Sequence, residues 1–316
     1  MTSSKKYQVA ILDDYQNVAL KFADWSVLRE RAEITVFDDH LFDADAVVKR
    51  LGPFDIVCVM RERTPLTRQI MECLPNLKLI CSTGPGNASI DKEAAAERHI
   101  KIANTGYTST PTIELTWALI LASARNIVTE NNEVACGGWQ QSVGEDIAGK
   151  TLGVVGLGNI GSAVAKIGVA FGMHVIAWSE HLTADRCAEV GCTLVSKEML
   201  FKQADIVTIH LVLSERTRGL ISDNELVLMK PSARLINTSR GPIVVEKDLI
   251  AALENDEIAG AAIDVFDQEP LAADHFFRIA PNVLATPHIG YVTRETYLRF
   301  YGDTVSNIRK WVEAQK

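Results

Sequence analysis

Short apolar runs alternate with longer helical patterns along the first third of the chain. Four of the runs predict strands, at Val9–Leu12, Ile34–Phe37, Ile56–Met60 and Leu79–Ser82, and the segments Ala44–Leu51 and Thr67–Cys73 between them show helical periodicity. Strand–helix alternation predicts a parallel sheet with helices on both faces, and continuously apolar strands fit burial on both sides. We expect this first unit to end near Ile102–Asn104.

A long helix is predicted next, beginning at Pro111–Glu114 and continuing through Arg125 to Val134, before Gly137 and Gly138. A second alternating series then predicts six strands, at Thr151–Val155, His174–Trp178, Ile206–His210, Arg234–Asn237, Ala261–Asp264 and Val283–Ala285. Six such strands complete a doubly wound dinucleotide-binding fold. The tail from Thr293 to Lys316 predicts one amphipathic helix that packs back on the first unit.

A glycine-rich turn, G-L-G-N-I-G, joins the strand ending at Val155 to a helix over Ile160–Phe171. Gly156 permits a tight turn, Gly158 lets the backbone approach a pyrophosphate, and Gly161 lets helix and strand pack closely. The helix N-terminus, at Asn159 and Ile160, offers N–H groups to the phosphates. An ordinary turn that uses glycine only for packing is the alternative, but three glycines in register inside a βαβ unit favour a nicotinamide dinucleotide.

The choice between NAD and NADP depends on the end of the second strand of this unit. An acidic side chain there would accept hydrogen bonds from the ribose hydroxyls and repel a 2′-phosphate. Ser179 follows the strand, and Glu180 comes one residue later. Glu180 favours NAD, whereas Ser179 and His181 would tolerate NADP. We expect no Arg beside these residues to hold a 2′-phosphate, and we therefore predict NAD, with NADP possible.

Composition restricts the other classes of function. The 316 residues are 47% apolar and 23% charged, typical of a soluble enzyme, and a net charge of −8 argues against nucleic-acid binding. The six cysteines form no CxxC pair and no zinc-like spacing, so we expect no metal and a reducing compartment. The segment Met1–Tyr15 predicts a first strand instead of a signal peptide, and no apolar run reaches the roughly 20 residues of a membrane span. These features predict a cytoplasmic protein.

Four segments from Glu145 onward carry a family resemblance: GEDIAGKTLGVVGLGNIG, MKPSARLINTSRGPIVVE, IAGAAIDVFDQEPL and NVLATPHIGYVT. With the weaker LPNLKLICSTGPGNASID of the first 110 residues, they resemble the D-isomer-specific 2-hydroxyacid dehydrogenases, which include phosphoglycerate, glycerate and D-lactate dehydrogenases. The resemblance implies a Rossmann NAD-binding domain over residues 108–291. It also implies a flavodoxin-like substrate domain over 1–107 and 292–316, a cleft between the two domains, and a homodimer.

The resemblance also implies roles for single residues. Arg240 matches the substrate-binding Arg, His288 the catalytic His, and Glu269 the acid that orients it. Thr238 and Asp264 match cofactor-binding positions, Asp264 that of the Asp that hydrogen-bonds the nicotinamide carboxamide. The loop containing Thr83, Gly84 and Gly86 resembles the one that grips the substrate carboxylate. Ser179 departs from the family's usual Asp, and no single substrate can be tied to Tyr107 and Tyr291.

The chemistry of these residue types agrees with those roles. A His exchanges protons near neutral pH, a carboxylate on its second nitrogen fixes the tautomer, and an Arg fork binds a carboxylate. Alone, His288 after Pro287 could be structural, Glu269 could lie in a solvated turn, and Arg240 could be a loop cation. Arg61 and Arg63 could read a second anionic group or be solvated.

We therefore predict an NAD(P)-dependent enzyme that interconverts a small 2-keto acid and a D-2-hydroxy acid. The alternatives are a short-form D-3-phosphoglycerate dehydrogenase and a non-enzymatic NAD-sensing protein that resembles the transcriptional corepressors of this fold. No membrane or nucleic-acid partner is expected.

Overall fold

The computed structural model describes residues 6–315, so residues 1–5 and 316 of the predicted substrate domain lie outside it. The chain divides into two compact units. The first contains the described residues up to Thr108 together with those from Thr293 onward, and the second is Ser109–Val292. Within residues 6–315, every helix is too short or too polar to span a bilayer.

The first unit is a parallel sheet with strand order β2-β1-β3-β4-β5. Its strands are β1 (Tyr7–Ile11), β2 (Ala32–Val36), β3 (Ile56–Val59), β4 (Leu79–Ser82) and β5 (Lys101–Asn104); its helices before the second unit are α1 (Ala44–Leu51), α2 (Arg68–Glu72) and α3 (Lys92–Glu97), with 3-10 turns at Ala19–Lys21 and Trp25–Leu28. The central strands β3 and β4 are buried throughout, which fits their sequences, since all their residues except Ser82 are apolar.

The second unit is a seven-stranded parallel sheet with order β12-β11-β10-β9-β6-β7-β8. Its strands are β6 (Thr151–Val155), β7 (His174–Trp178), β8 (Thr193–Leu194), β9 (Ile206–Ile209), β10 (Arg234–Asn237), β11 (Gly260–Ile263) and β12 (Val283–Ala285). Its helices are α4 (Thr110–Ala124), α5 (Ile127–Ala135), α6 (Asn159–Ala170), α7 (Ala184–Ala188), α8 (Lys197–Gln203), α9 (Asp223–Leu226) and α10 (Glu246–Glu254), with 3-10 turns at Gly241–Ile243 and Phe276–Arg278.

The last helix, α11 (Arg294–Glu313), belongs to the first unit, as predicted. It packs against β4 and β5. The Asp303 carboxylate accepts the backbone N–H of Gly106 at 2.8 Å, and the Asn307 amide donates to the Asn104 carbonyl at 3.0 Å. Both ends of the chain therefore build the first unit.

The predicted α/β class with two parallel sheets is confirmed, and three details of it are wrong. The first sheet has a fifth strand, β5, because Lys101–Asn104 pairs with β4. Its two end residues are exposed and its two middle residues only partly buried, so it lacks the apolar run of the other strands. The second sheet has a seventh strand, β8, of two residues. The long helix does not run unbroken to Val134, since Asn126 takes a left-handed φ of 52° that separates α4 from α5.

Candidate active site

The glycine turn between β6 and α6 has the shape expected of a phosphate-binding loop. Gly156 has a φ of +96°, and a Cβ there would lie 2.6 Å from the His210 carbonyl oxygen. A Cβ on Gly161 would lie 2.0 Å from the Gly156 carbonyl oxygen, so this position also excludes side chains. Gly158, by contrast, is exposed and borders open space. The backbone is tight where the turn must close and open where a ligand would approach.

The N-terminus of α6 fits a pyrophosphate. Gly158 is the N-cap residue, so no side chain caps the first turn of the helix. Asn159 is exposed and Ile160 half-buried. An uncapped helix N-terminus at an open glycine is suited to anionic oxygens, because its N–H groups and its dipole both favour negative charge. The predicted residues therefore fit the phosphates of a dinucleotide.

The end of β7 lies beside this turn, since the Gly156 N–H donates to the Trp178 carbonyl at 2.8 Å. Ser179 is half-buried and Glu180 exposed. A Glu180 Oε2 atom lies 2.9 Å from Nη1 of Arg216, which is 36 residues further along the chain. The expectation that no Arg stands beside these two residues is therefore wrong, because the loop after β9 supplies one.

His210, directly after β9, is half-buried and touches the glycine turn. Burial lowers the pKa of its imidazole to about 3, so the ring is neutral. Its Nε2 lies 2.9 Å from the Thr208 hydroxyl. This histidine supports the glycine turn and is no candidate for acid–base chemistry at neutral pH.

His288 and Glu269 form a close pair in the second unit. The His288 Nδ1 lies 2.5 Å from Glu269 Oε2, while Glu269 Oε1 accepts the Phe266 backbone N–H at 3.0 Å. The His288 ring also packs edge-on against Tyr291, with 5.5 Å between ring centroids. Because Nδ1 is engaged with the carboxylate, Nε2 is the nitrogen that can exchange a proton with a bound molecule.

Electrostatics keep Glu269 ionised. Burial by itself would raise the pKa of this carboxyl group, but the hydrogen bond and charge of His288, the Phe266 N–H and the charge of Arg240 together hold it below its ordinary value. A carboxylate therefore faces His288 at neutral pH and makes Nδ1 the hydrogen-bond donor. Three predicted site residues, Arg240, Glu269 and His288, therefore lie close enough for the charges of the other two to act on Glu269.

Arg240 follows β10 at the start of a 3-10 turn. Its Nη1 donates to the Ser239 carbonyl at 2.7 Å, and its own carbonyl accepts from the Asn237 amide at 3.0 Å. Thr238 is buried, with its hydroxyl 2.8 Å from that of Thr116 on α4. The β10 end is thereby held at several points, which fixes the base of the Arg240 side chain.

Asp264 is fully buried at the end of β11, and burial raises the pKa of its carboxyl group despite the donors around it. Its Oδ1 accepts from the Thr286 hydroxyl at 2.6 Å and from the Ile289 N–H at 2.8 Å. Its Oδ2 accepts the Gly290 N–H at 2.8 Å. In this structure the carboxylate holds the backbone around His288.

The remaining predicted residues lie together in the first unit, in the loop after β4. The Thr83 N–H donates to the Val59 carbonyl at 3.2 Å, and the Gly84 N–H donates to the Thr105 hydroxyl at 2.8 Å. Gly86 is half-buried and borders open space. Within residues 6–315, the N–H of Gly86 has no hydrogen-bond partner, unlike those of Thr83 and Gly84.

Arg61 covers this loop, a contact that the sequence left open. Its guanidinium lies over Gly84, where a Cβ would be 1.7 Å from Nη1, and the same nitrogen donates to the Thr83 carbonyl at 3.2 Å. The Tyr107 ring lies 5.5 Å away. Arg63 instead donates to the Asp13 carbonyl at 2.7 Å. Arg61 therefore contacts the predicted carboxylate loop.

A family model described as "D-isomer specific 2-hydroxyacid dehydrogenase, NAD binding domain" matches residues 117–290. A D-3-phosphoglycerate dehydrogenase of Synechocystis sp. is 37% identical over 286 residues, which cover 90% of this chain. The chain spans about half of that relative, 51% of its length. A glyoxylate reductase of Aeropyrum pernix is 42% identical over 235 residues, covering 71% of this chain and 70% of the relative.

The whole fold also matches solved structures. A crystal structure of a putative D-3-phosphoglycerate dehydrogenase oxidoreductase from Ralstonia solanacearum superposes with a TM-score of 0.92 and 34% identity, and the match covers 98% of this chain and 96% of the other. Similarity therefore extends over both units.

Proposed function

Because the chain belongs to the D-isomer-specific 2-hydroxyacid dehydrogenase family, we propose that it interconverts a small 2-keto acid and a D-2-hydroxy acid with a nicotinamide dinucleotide. The observation that carries this proposal is the His288–Glu269 pair, 2.5 Å apart, with the charge of Arg240 acting on the same carboxylate. Besides a hydride donor, reduction of a keto acid requires a proton donor for the carbonyl oxygen and a cation for the carboxylate, and this set offers both.

Each of the three residues has a distinct part in the proposed mechanism. Through Nε2, His288 gives a proton to the carbonyl oxygen in reduction and takes it back in oxidation. Glu269 keeps Nδ1 protonated and the ring oriented. Arg240 binds the substrate carboxylate and polarises the carbonyl. A bound nicotinamide would supply or accept the hydride.

The residues proposed to hold the dinucleotide belong to the second unit, for which we propose residues 108–291 as the cofactor domain. They are Gly156, Gly158, Asn159, Ile160, Gly161, Ser179, Glu180, Thr238 and Asp264. The substrate domain would be residues 1–107 and 292–316, with the loop of Thr83, Gly84 and Gly86 receiving the substrate carboxylate. The N–H left over at Gly86 supports that assignment.

A more specific alternative is a D-3-phosphoglycerate dehydrogenase activity. The observation that favours it is Arg61, whose half-buried guanidinium lies beside the proposed carboxylate loop. A second cation there suits a substrate with a second anionic group. The relative and the solved structure that carry that activity in their names give it further support.

We also propose that the protein is a homodimer. Helix α5 buries none of its residues. A run of apolar side chains in α5 and the following loop is exposed, namely Ile127, Val128, Val134, Trp139 and Val143. Concentrated apolar exposure of this kind suits a second copy of the chain. Light scattering of wild type and of the Trp139→Ser variant tests this, and a monomeric wild type would contradict it.

The activity is tested with a steady-state panel of keto acids. Glyoxylate, hydroxypyruvate, pyruvate and 3-phosphohydroxypyruvate are each assayed with NADH and with NADPH. We expect turnover of at least one small keto acid and a D configuration in the product. A preference for the phosphorylated acid, lost in Arg61→Ala, would select the phosphoglycerate alternative. No turnover across the panel would overturn the proposal.

A further inference from the structure

Two loops border the glycine turn from opposite sides. Strands β7 and β9 are the neighbours of β6 in the sheet. The Trp178 carbonyl, at the end of β7, accepts the N–H of Gly156 at 2.8 Å. His210, the first residue after β9, donates its N–H to the Val155 carbonyl at 2.8 Å. The loop after β7 carries Ser179 and Glu180, and the loop after β9 carries Arg216. The sheet order therefore brings together residues that are distant in sequence.

The ion pair between these loops is solvated. The Glu180 and Arg216 side chains are 61% and 67% exposed, and their 2.9 Å contact joins one carboxylate oxygen to one guanidinium nitrogen. Exposed pairs of this kind are weak, because water screens the attraction and two long side chains must be ordered. Either partner can therefore exchange the other for a ligand group at small cost.

NAD and NADP are bound at this position by side chains of opposite charge. A ribose 2′-hydroxyl donates to a carboxylate, whereas a 2′-phosphate is repelled by a carboxylate and bound by a guanidinium fork. The chain offers one group of each kind and places the neutral Ser179 at the strand end. We propose that Arg216 is a specificity-determining residue. Its guanidinium breaks its ion pair with Glu180 and binds the 2′-phosphate of NADP, so that this chain accepts NADP as well as NAD. The inference rests on the proposed function.

Arg186 provides a matched control. It lies on α7, in the segment after the same strand, and its Nη1 is 2.5 Å from Glu189 Oε2. Its Nη2 also donates to the Ser162 hydroxyl at 3.1 Å, so this guanidinium is anchored on two sides. If general positive charge near the turn governed NADP binding, removal of Arg186 and removal of Arg216 would have similar effects.

The test is isothermal titration calorimetry of NAD⁺ and NADP⁺ on the full chain, with wild type, Arg216→Ala, Glu180→Gln and Arg186→Ala. We expect wild type to bind both dinucleotides. The ratio of the NADP⁺ Kd to the NAD⁺ Kd should rise roughly tenfold in Arg216→Ala, the scale of one lost charge-assisted contact. It should fall in Glu180→Gln and stay unchanged in Arg186→Ala. In wild type it should also rise with added salt.

Three results would overturn the inference. They are a wild type that binds NAD⁺ but not NADP⁺, an Arg216→Ala ratio equal to that of wild type, and an equal effect of Arg186→Ala. In each of these the binding of NAD⁺ leaves the proposed function standing. A wild type that binds neither dinucleotide would overturn both proposals, so the two failures are distinguishable.

Discussion

The Asp264 Oδ1 atom accepts the backbone N–H of Ile289, the residue that follows His288, at 2.8 Å. The same carboxylate receives the Thr286 hydroxyl on one side of His288 and the Gly290 N–H on the other. His288 itself has a φ of 52°, a conformation that non-glycine residues rarely adopt. Three hydrogen bonds to one buried carboxylate offset the cost of that conformation and fix the direction of the imidazole.

Replacing Asp264 with Asn should destabilise the second unit. An amide nitrogen must then face at least one of the two backbone N–H groups, and this buried mismatch costs about 1–3 kcal/mol. Chemical denaturation measures the change. The control is Asp267→Asn, an exposed carboxylate three residues away, for which we expect a change within about 0.5 kcal/mol. Equal stability of the two variants would contradict this reading of Asp264.

Replacing His288 with Gln should remove turnover and keep dinucleotide binding. Loss of a general acid–base group typically lowers kcat by about 10²–10⁴-fold. His275→Gln is the matched control, because His275 also pairs with a carboxylate of the second unit, Glu246, at 3.1 Å, but has no proposed role. Steady-state kinetics and calorimetry of NAD⁺ binding give the two readouts. Near-normal kcat in the His288 variant would refute the assignment.

The His288–Glu269 pair should make stability depend on acid pH. Because the pKa of Glu269 is lowered in the folded state, its ionised form contributes stability above the ordinary value of 4.5. That contribution is lost as the pH falls below 4.5 through the folded-state pKa. The difference in unfolding free energy between wild type and Glu269→Gln should therefore shrink as the pH falls from 6 to 3. A difference that stays constant over this range would argue against the pair.

The two glycines of the loop after β4 should respond differently to alanine. Gly84 has a φ of +86° and a Cβ there would meet the Arg61 guanidinium, whereas a Cβ on Gly86 would meet nothing within 4 Å. We expect Gly84→Ala to cost about 1–3 kcal/mol of stability and Gly86→Ala less than about 0.5 kcal/mol. Thermal denaturation compares the two variants. A similar loss of Tm in both would show that backbone strain at Gly84 is not the cause.

The sequence predicts best those elements whose bounds are set by residues close together in the chain. Helix α1 has the predicted bounds because Asp43 caps it, its side chain accepting the Ala46 N–H at 2.8 Å. Strand β8 was missed because two residues at a sheet edge carry no periodic pattern. The break at Asn126 was missed because an Asn can continue a helix or adopt a left-handed φ, and the sequence pattern does not distinguish the two.

The same distinction applies to the candidate site, where single residues could be predicted but contacts between distant parts of the chain could not. Arg240, Glu269 and His288 could be proposed because each lies in a segment that resembles the sequence of the family. The Glu180–Arg216 pair could not, because it joins positions 36 residues apart through the order of strands in the sheet. Similarly, the contact of Arg61 with Thr83 depends on how β3 and β4 pair.

The position of α11 also sets the order in which the protein can assemble on the ribosome. The first unit lacks the helix that packs against β4 and β5 until Arg294–Glu313 has been made, whereas Ser109–Val292 is continuous in the chain. Domains fold as units during synthesis, usually the N-terminal one first. Here we expect the reverse: the internal unit closes while the first hundred residues wait for the C-terminal segment to emerge.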